Sequence, residues 1–394
     1  MPADRRRGEM SARDILAELI SFDTTSDKTN LPMAAWIADY LTEFGIESHL
    51  LPAENGIHTN LFASIGAGDG SKFDGGIGLS GHMDVVPVTG QPWKTDPFTL
   101  VEKGSRLYGR GTTDMKGFLA CMLASVPVFQ ARNLKTPIHL IFSYDEEVGC
   151  TGVIPMVAEF GKSLPKPDIV IVGEPTMMMV VDGHKGGSRL RTEITGKDAH
   201  SSRPDLGVGA IFVAGELIHE LKRIEARIQK AHPAPRFAPP YPTITVSFIE
   251  GGIAHNILPP HCMFQWGVRV TPGVDVDAIA TALQSYAERE LLPDMRRIDP
   301  ACDIKTTLIG ALPAFVAPEG SPATSLALQL AGQNETYTVA YGTEASHFQS
   351  AGAAAVVCGP GDIAQAHQPN EFIEVAELDR CMAFLSRVRD WAAA

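Results

Sequence analysis

No run of apolar residues in the 394-residue chain approaches the length of a membrane span. No basic block follows Arg5, Arg6 and Arg7, and a formal net charge of −13 argues against a nucleic-acid partner. The six cysteines (Cys121, Cys150, Cys262, Cys302, Cys358 and Cys381) are scattered and form no C-x-x-C pair, which fits free thiols in a reducing compartment. Internal repeats and low-complexity segments are also lacking. The stretch G-E-M-S-A-R-D after the three arginines is too polar for a signal-peptide core, so a cytoplasmic location is expected. What is present is an ordinary globular composition: 44% apolar residues, enough for real cores, in a chain long enough for two domains.

The chain is organised around Leu79–Thr176. Three apolar runs there end in acidic or imidazole side chains: L-S-G-H-M-D at Asp84, I-H-L-I-F-S-Y-D-E-E at Glu147, and D-I-V-I-V-G-E-P-T at Thr176. Between the first two lies G-R-G-T-T-D-M-K-G, around Asp114. Short β-branched runs closed by Gly or acidic residues read as buried parallel strands. Ligands bind beyond the carboxyl ends of such strands, so a His and several carboxylates gathered there suggest a metal site.

In order along the chain, the spacing predicts helices over Ser11–Ile20, with Ser11 as N-cap, and over Leu31–Phe44, stopped by Gly45. Strands are expected at Ser48–Leu51, Asn60–Ile65 and Gly76–Gly81, and a helix over Phe118–Gln130. From about Gly183 the texture changes, because R-L-R-T-E-I-T alternates polar and apolar residues. A helix (Val208–Ile228), a Pro-rich break (His232–Pro242), strands T-I-T-V-S-F-I and C-M-F-Q-W-G-V-R-V, a helix (Val276–Leu291) and a strand (Ile304–Leu308) follow. That order is β-α-β-β-α-β, the ferredoxin-like arrangement. A helix near Ser321–Ala331, a strand at Ala353–Cys358 and a helix over Ala376–Trp391 then resume the first texture. The fold class is therefore α/β: a mixed, largely parallel sheet with helices on both faces, interrupted by an inserted ferredoxin-like α+β domain. The expected boundaries are 1–184 and 311–394 for the catalytic domain and 185–310 for the insertion.

Two divalent ions can be held by one bridging carboxylate plus one His and one terminal carboxylate each. Asp114 would bridge, His82 and Glu174 would complete one metal, and Glu147 and His367 the other. Neighbouring side chains at a strand end diverge, so of the pair Glu146–Glu147 one is left free. If Glu147 ligates, Glu146 can act as general base and then general acid. Asp84 could accept the second imidazole N–H of His82. An H-x-D or an E-E pair alone is more often structural; the joint occurrence of His, Asp, Glu, Glu and His in order carries the reading. His139 and His219 lie within predicted elements and read as structural. His184 and Lys185, at the domain junction, fit a substrate contact or a hinge equally.

The motifs S-G-H-M-D-V-V-P, G-R-G-T-T-D-M-K-G, D-E-E-V-G, G-E-P-T and A-H-Q-P-N-E, in that order, closely resemble the signatures of the M20 family of metallo-aminoacylases and peptidases over nearly the full chain. The resemblance implies that His82, Asp114, Glu147, Glu174 and His367 bind two zinc ions, with cobalt able to substitute. It makes Glu146 the general acid/base and has Asp84 support His82. It also implies a lid domain through which members dimerise. His200, in G-K-D-A-H-S-S-R-P, would be the lid histidine that stabilises the oxyanion. Asn256 and Arg269 would hold the substrate's polar groups and α-carboxylate; for Arg269 a simple salt bridge on a strand is the alternative. Within the family, G-E-P-T, H-K-G, A-H-S-S and G-T-E-A resemble the members that deacetylate Nα-acetylornithine more than the succinyl-diaminopimelate desuccinylases. The implied partner is a small N-acyl amino acid. His347 beside G-T-E-A departs from the pattern, and if it faces the pocket the acyl or side-chain preference would differ.

Overall fold

The strands Ile77–His82, Ile138–Ser143 and Ile169–Pro175 are buried along their whole length, as runs of β-branched and aliphatic residues covered on both faces must be. The computed structural model describes residues 10–66 and 74–394. It divides into two units: Met1–Gly183 with Val316–Tyr337 and Thr343–Ala394, and His184–Phe315 with Thr338–Gly342.

In the first unit Ile77–His82 pairs in parallel with Ile138–Ser143 on one side and Ile169–Pro175 on the other, and Ala354–Gly359 extends the parallel set beyond Ile169–Pro175. Thr59–Ile65 and then Ser48–Pro52 continue the sheet antiparallel. The register puts Ile77 opposite both Ile138 and Ile169, and Ile169 opposite Ala354, so all four parallel strands run out at the same edge. His82, the turn after Ser143, and Glu174 leave the sheet there.

The helix Gly117–Gln130 is apolar on nearly every face and is sandwiched in the core between Ala12–Ser21 and Val375–Ala393. Ser11 caps the first helix through a reciprocal pair with Asp14. Close packing of the Gly117–Gln130 helix on the sheet requires a glycine at 173, where a Cβ would lie 2.1 Å from the Phe118 ring. A small antiparallel sheet of Val101–Lys103, Arg106–Tyr108 and Phe372–Glu374 was not expected, because three-residue strands carry too little pattern. It ties the segment after His367 to the segment before Asp114. No helix among the described residues is long and apolar enough to cross a membrane.

The second unit is a four-stranded antiparallel sheet in the order Thr243–Gly251, His261–Val270, Gly186–Thr195, Asp303–Leu312. Its own core includes Leu190, Ile194, Phe264 and Trp266 from the strands and Leu217, Leu221, Ile279 and Leu283 from the helices. The helix beginning at Val276 continues past the expected stop, through a wider turn at Ala287–Leu291, into Leu292–Ile298. Pro293 is tolerated because it falls at the start of the last segment, where no N–H is needed. Residues 338–342 belong to this unit through Lys185 N–H to the Val339 carbonyl (3.2 Å) and the Thr338 hydroxyl to the Arg236 carbonyl.

Candidate metal centre

His82 is the last residue of its strand and fully buried. Its Nε2 lies 3.1 Å from Oδ1 of Asp114 and 3.9 Å from Oε1 of Glu174. The other carboxylate oxygen of Asp114 lies 3.3 Å from Nε2 of His367, which in turn is 2.9 Å from Glu147. One carboxylate thus stands between two imidazoles, each with a second carboxylate beside it. Donor atoms of His82, Asp114 and Glu147 lie within 4.8 Å of one another, as do those of His82, Glu146 and Glu174.

The loops that deliver these groups are tightly determined. Asp114 sits in an irregular turn at the head of the Gly117–Gln130 helix, joined to Met115 by a cis peptide bond. The turn Asp145–Cys150 follows directly on the Ile138–Ser143 strand, and Asp145 and Cys150 both take left-handed conformations, at φ 56°. Asp84 was expected to orient His82 through its carboxylate. The closer acceptor for Nδ1 is instead the Asp84 carbonyl at 2.9 Å, with the carboxylate at 3.5 Å. That carboxylate accepts the hydroxyl of Ser26 (2.8 Å) and the main-chain N–H groups of Glu146 (3.2 Å) and Glu147 (3.3 Å). Asp84 therefore holds the Glu146–Glu147 turn as well as lying beside the imidazole, because the turn's unpaired N–H groups converge on it.

The electrostatics are those of a crowded acidic site. Burial pushes Glu146 up to about 8 and Glu147 up to about 7, with neighbouring carboxylates adding to both. Burial, then Glu146 and Asp114, raises Glu174 well above the usual range. Asp114 goes the other way: burial opposes ionisation, but hydrogen bonds from His367 and His82 hold it well below the usual range. The contacts with Asp114 and Glu147 push His367 up to about 10. Oε1 of Glu174 is buried and has no hydrogen-bond partner among the described residues. An orphaned buried carboxylate oxygen is costly unless something positive meets it. Two imidazoles and three carboxylates around shared positions are the donor set of a pair of zinc-like ions, so the residues present fit a dinuclear metal site.

Several neighbours of the cluster were missed at the level of sequence. Cys150 Sγ lies 3.0 Å from Oε1 of Glu146, and burial together with nearby carboxylates raises this thiol well above its ordinary value, so it keeps its proton. Glu344, in G-T-E-A, is buried with Oε1 lacking a partner among the described residues, and burial pushes it up to about 7 despite a hydrogen bond from Ser143. Glu371 and Arg110 form a buried ion pair at 2.7 Å. All but Ser26 sit in or beside motifs quoted above, yet which groups they meet follows from loop geometry that spacing does not encode.

The remaining expected residues lie in the second unit. His200 is exposed, with Nδ1 2.7 Å from the Ser202 hydroxyl, and its strand-like segment bridges to Ile257. Asn256 is on the adjoining loop, its carbonyl accepting Ser201 N–H at 2.9 Å. Arg269 is exposed near the end of the His261–Val270 strand. Lys185 Nζ donates to the carbonyls of Pro239 (2.7 Å) and Tyr241 (2.9 Å). His184 packs its ring on Phe315 and holds Nδ1 3.0 Å from the Lys185 carbonyl. His347 is half-buried on the helix Ala345–Ser350, and burial lowers its basicity.

The chain is similar to known proteins over nearly its whole length. Acetylornithine deacetylase of Aliivibrio salmonicida is 33% identical over 373 residues, 94% of each chain. The protein of that name from Myxococcus xanthus is 34% identical over 377 residues, covering 95% of this chain and 96% of its own. In fold, the chain is similar to a tripeptidase from Staphylococcus aureus (TM-score 0.74, 19% identity, 97% of this chain and 98% of that one). It is equally similar to an M20 family metallo-carboxypeptidase from Sulfolobus solfataricus (TM-score 0.74, 18% identity, 98% and 99%). A family model, Peptidase family M20/M25/M40, matches residues 78–389, a span that takes in every one of His82, Asp114, Glu146, Glu147, Glu174 and His367. With that span and that donor set, the chain belongs to peptidase family M20/M25/M40 and is a metal-dependent hydrolase of amide bonds.

Proposed function

We propose that the protein is a dizinc amidohydrolase that removes the acyl group from an Nα-acyl amino acid, with Nα-acetyl-L-ornithine, giving L-ornithine and acetate, as its substrate. The observation that carries the dinuclear reading is Asp114, with His82 3.1 Å from one oxygen and His367 3.3 Å from the other. His82 and Glu174 would hold one zinc, Glu147 and His367 the other, and cobalt would serve in place of zinc. Bound there, the metals would polarise the scissile carbonyl and make water acidic near neutral pH. Glu146 is the proton carrier: its buried carboxyl has a raised proton affinity, which suits a group that takes a proton from water and returns it to the departing amine. Asp84 fixes the turn that carries Glu146. In the second unit, His200 would donate to the developing oxyanion, and Asn256 and the Arg269 fork would hold the substrate's polar groups and carboxylate. The ornithine assignment is supported by the names of relatives at 33% and 34% identity. It would place the enzyme in arginine biosynthesis.

We also propose a homodimer formed through the second unit. Its edge strand Thr243–Gly251 exposes Phe248 and Ile249, and nearby Phe212 and Ile253 are 87% and 74% exposed, an apolar surface a lone chain rarely leaves uncovered. Six buried free cysteines fit the reducing cytoplasm.

The test is ornithine release from Nα-acetyl-L-ornithine by metal-stripped protein before and after zinc or cobalt is added. Metal-dependent turnover supports the reading. Cleavage of N-succinyl-diaminopimelate, another N-acyl amino acid or a dipeptide in its place would keep the chemistry and replace the substrate.

A further inference from the structure

The carboxylate of Glu371 has no role in the chemistry above, yet it is buried and saturated. Oε2 accepts Arg110 Nη1 (2.7 Å) and Gly111 N–H (3.0 Å), while Oε1 accepts the N–H groups of Thr113 (2.9 Å) and Asp114 (3.1 Å). One side chain therefore fixes the turn that presents Asp114. Arg110 extends the arrangement. Its Nη2 donates to Oε1 of Gln91 at 2.5 Å, and its guanidinium lies 5.1 Å from the Trp93 ring centroid. Trp93 Nε1 donates to the same Gln91 oxygen at 3.0 Å, and Gln91 Nε2 donates to the main-chain carbonyl of His367 at 2.9 Å.

The chain closes a ring: His367 carbonyl, Gln91 amide, Arg110, Glu371, and back along four peptide units to His367. His367 needs such support. It has a left-handed backbone, φ 64°, as does Asn370 at 60°, and its side chain is half exposed, so packing does not fix it. Gln91 suits the position because one side chain must accept from Arg110 and Trp93 while donating to a carbonyl. A carboxylate keeps the acceptor and loses the donor; a thioether loses both.

We infer that Gln91 is a positioning residue for the second metal, holding His367 through its main-chain carbonyl and coupling that ligand to the Asp114 turn through Arg110 and Glu371. This rests on the dinuclear reading above. Partners that orient metal ligands typically change metal affinity about ten- to a hundredfold when removed. Q91M and Q91E should weaken one zinc equivalent of the two by about that factor and leave the other within about twofold. E371Q puts an amide NH2 where two donors converge, and because it loosens Asp114 it should weaken both equivalents.

The experiment is zinc titration of the metal-stripped full-length chain against a competing chelator, with cobalt absorption spectra recorded after the first and second equivalents. Selective loss of one equivalent in Q91M, with an altered spectrum for that cobalt alone, supports the inference. Wild-type binding of both metals by Q91M overturns it, and so does equal weakening of both with a lowered melting temperature. A wild-type chain that takes up fewer than two zinc ions overturns the dinuclear reading, and this inference with it.

Discussion

The thiol of Cys150 donates to Oε1 of Glu146 across 3.0 Å, and it is the one hydrogen bond to that carboxylate among the described residues. With Oε1 held, Oε2 is left to exchange a proton. A hydrogen bond to a charged group contributes roughly 1.5–3 kcal/mol. C150A should therefore lower kcat about tenfold or more with little change in KM. C150S, which restores a donor at the same left-handed backbone position, should recover most of the loss. Equal kcat in the alanine variant and wild type would remove Cys150 from the account.

Glu146 itself carries the proton transfer, and general acid–base catalysis contributes about 10²–10⁴-fold. E146Q keeps the shape and loses the proton carrier. It should reduce turnover by about that factor or more while binding zinc as wild type does. Turnover within about tenfold of wild type, with full metal content, would reassign the base.

The metal-free protein should become less stable as pH rises from about 5 to 8. Glu146, Glu147 and Glu174 are raised above their unfolded carboxyl values, and His82 and His367 above the ordinary imidazole value. In this window the folded state binds more protons than the unfolded one, so the favourable contribution present at low pH is lost as these groups deprotonate. Two groups work the other way, Lys116, buried and lowered to about 7, toward the top of the window, and His347, whose basicity burial lowers, below the ordinary imidazole value, but the five raised groups outnumber them. Zinc should reverse the trend, because ligation needs deprotonated groups. Melting temperatures of metal-free and zinc-loaded protein at pH 5.5 and pH 8 check both signs. A metal-free protein that gains stability over this range would contradict the charge balance described for the cluster.

Much of the centre is legible before any coordinates, because strand ends in an open parallel sheet share an edge. Once Ile77–His82, Ile138–Ser143 and Ile169–Pro175 are read as buried strands, His82, Glu146–Glu147 and Glu174 must meet. Asp114 and His367 are different, since each sits on an irregular turn whose path is set by Glu371, Arg110 and Gln91. Those contacts span between 19 and 276 positions of sequence and carry no periodicity, so motif reading finds the residues without finding what they touch. Asp84 illustrates the same limit. Its proximity to His82 follows from two-residue spacing, whereas its grip on the Glu146–Glu147 turn depends on two strands ending in register.

Gly173 sets how closely the helix that follows Asp114 approaches the strand that ends in Glu174. A Cβ there would lie 2.1 Å from Cγ and Cδ1 of Phe118, a ring fully buried in the first turn of that helix. Neither partner can yield cheaply: the strand is paired on both sides, and the ring is packed in the core. G173A should therefore cost about 1–3 kcal/mol, as overpacking does. Because the displaced turn carries Asp114, it should also weaken zinc binding, which a purely global loss of stability would not do in the folded protein. Trimming the opposing ring tests the cause. F118A alone opens a cavity and costs about 3–5 kcal/mol, but in the double variant the added methyl meets empty space. The G173A/F118A pair should thus lose less than the sum of the single losses, by on the order of 1 kcal/mol or more in a denaturation cycle. Additive losses would mean that the glycine is needed for its backbone alone, and the steric account of the helix-to-strand approach would fall.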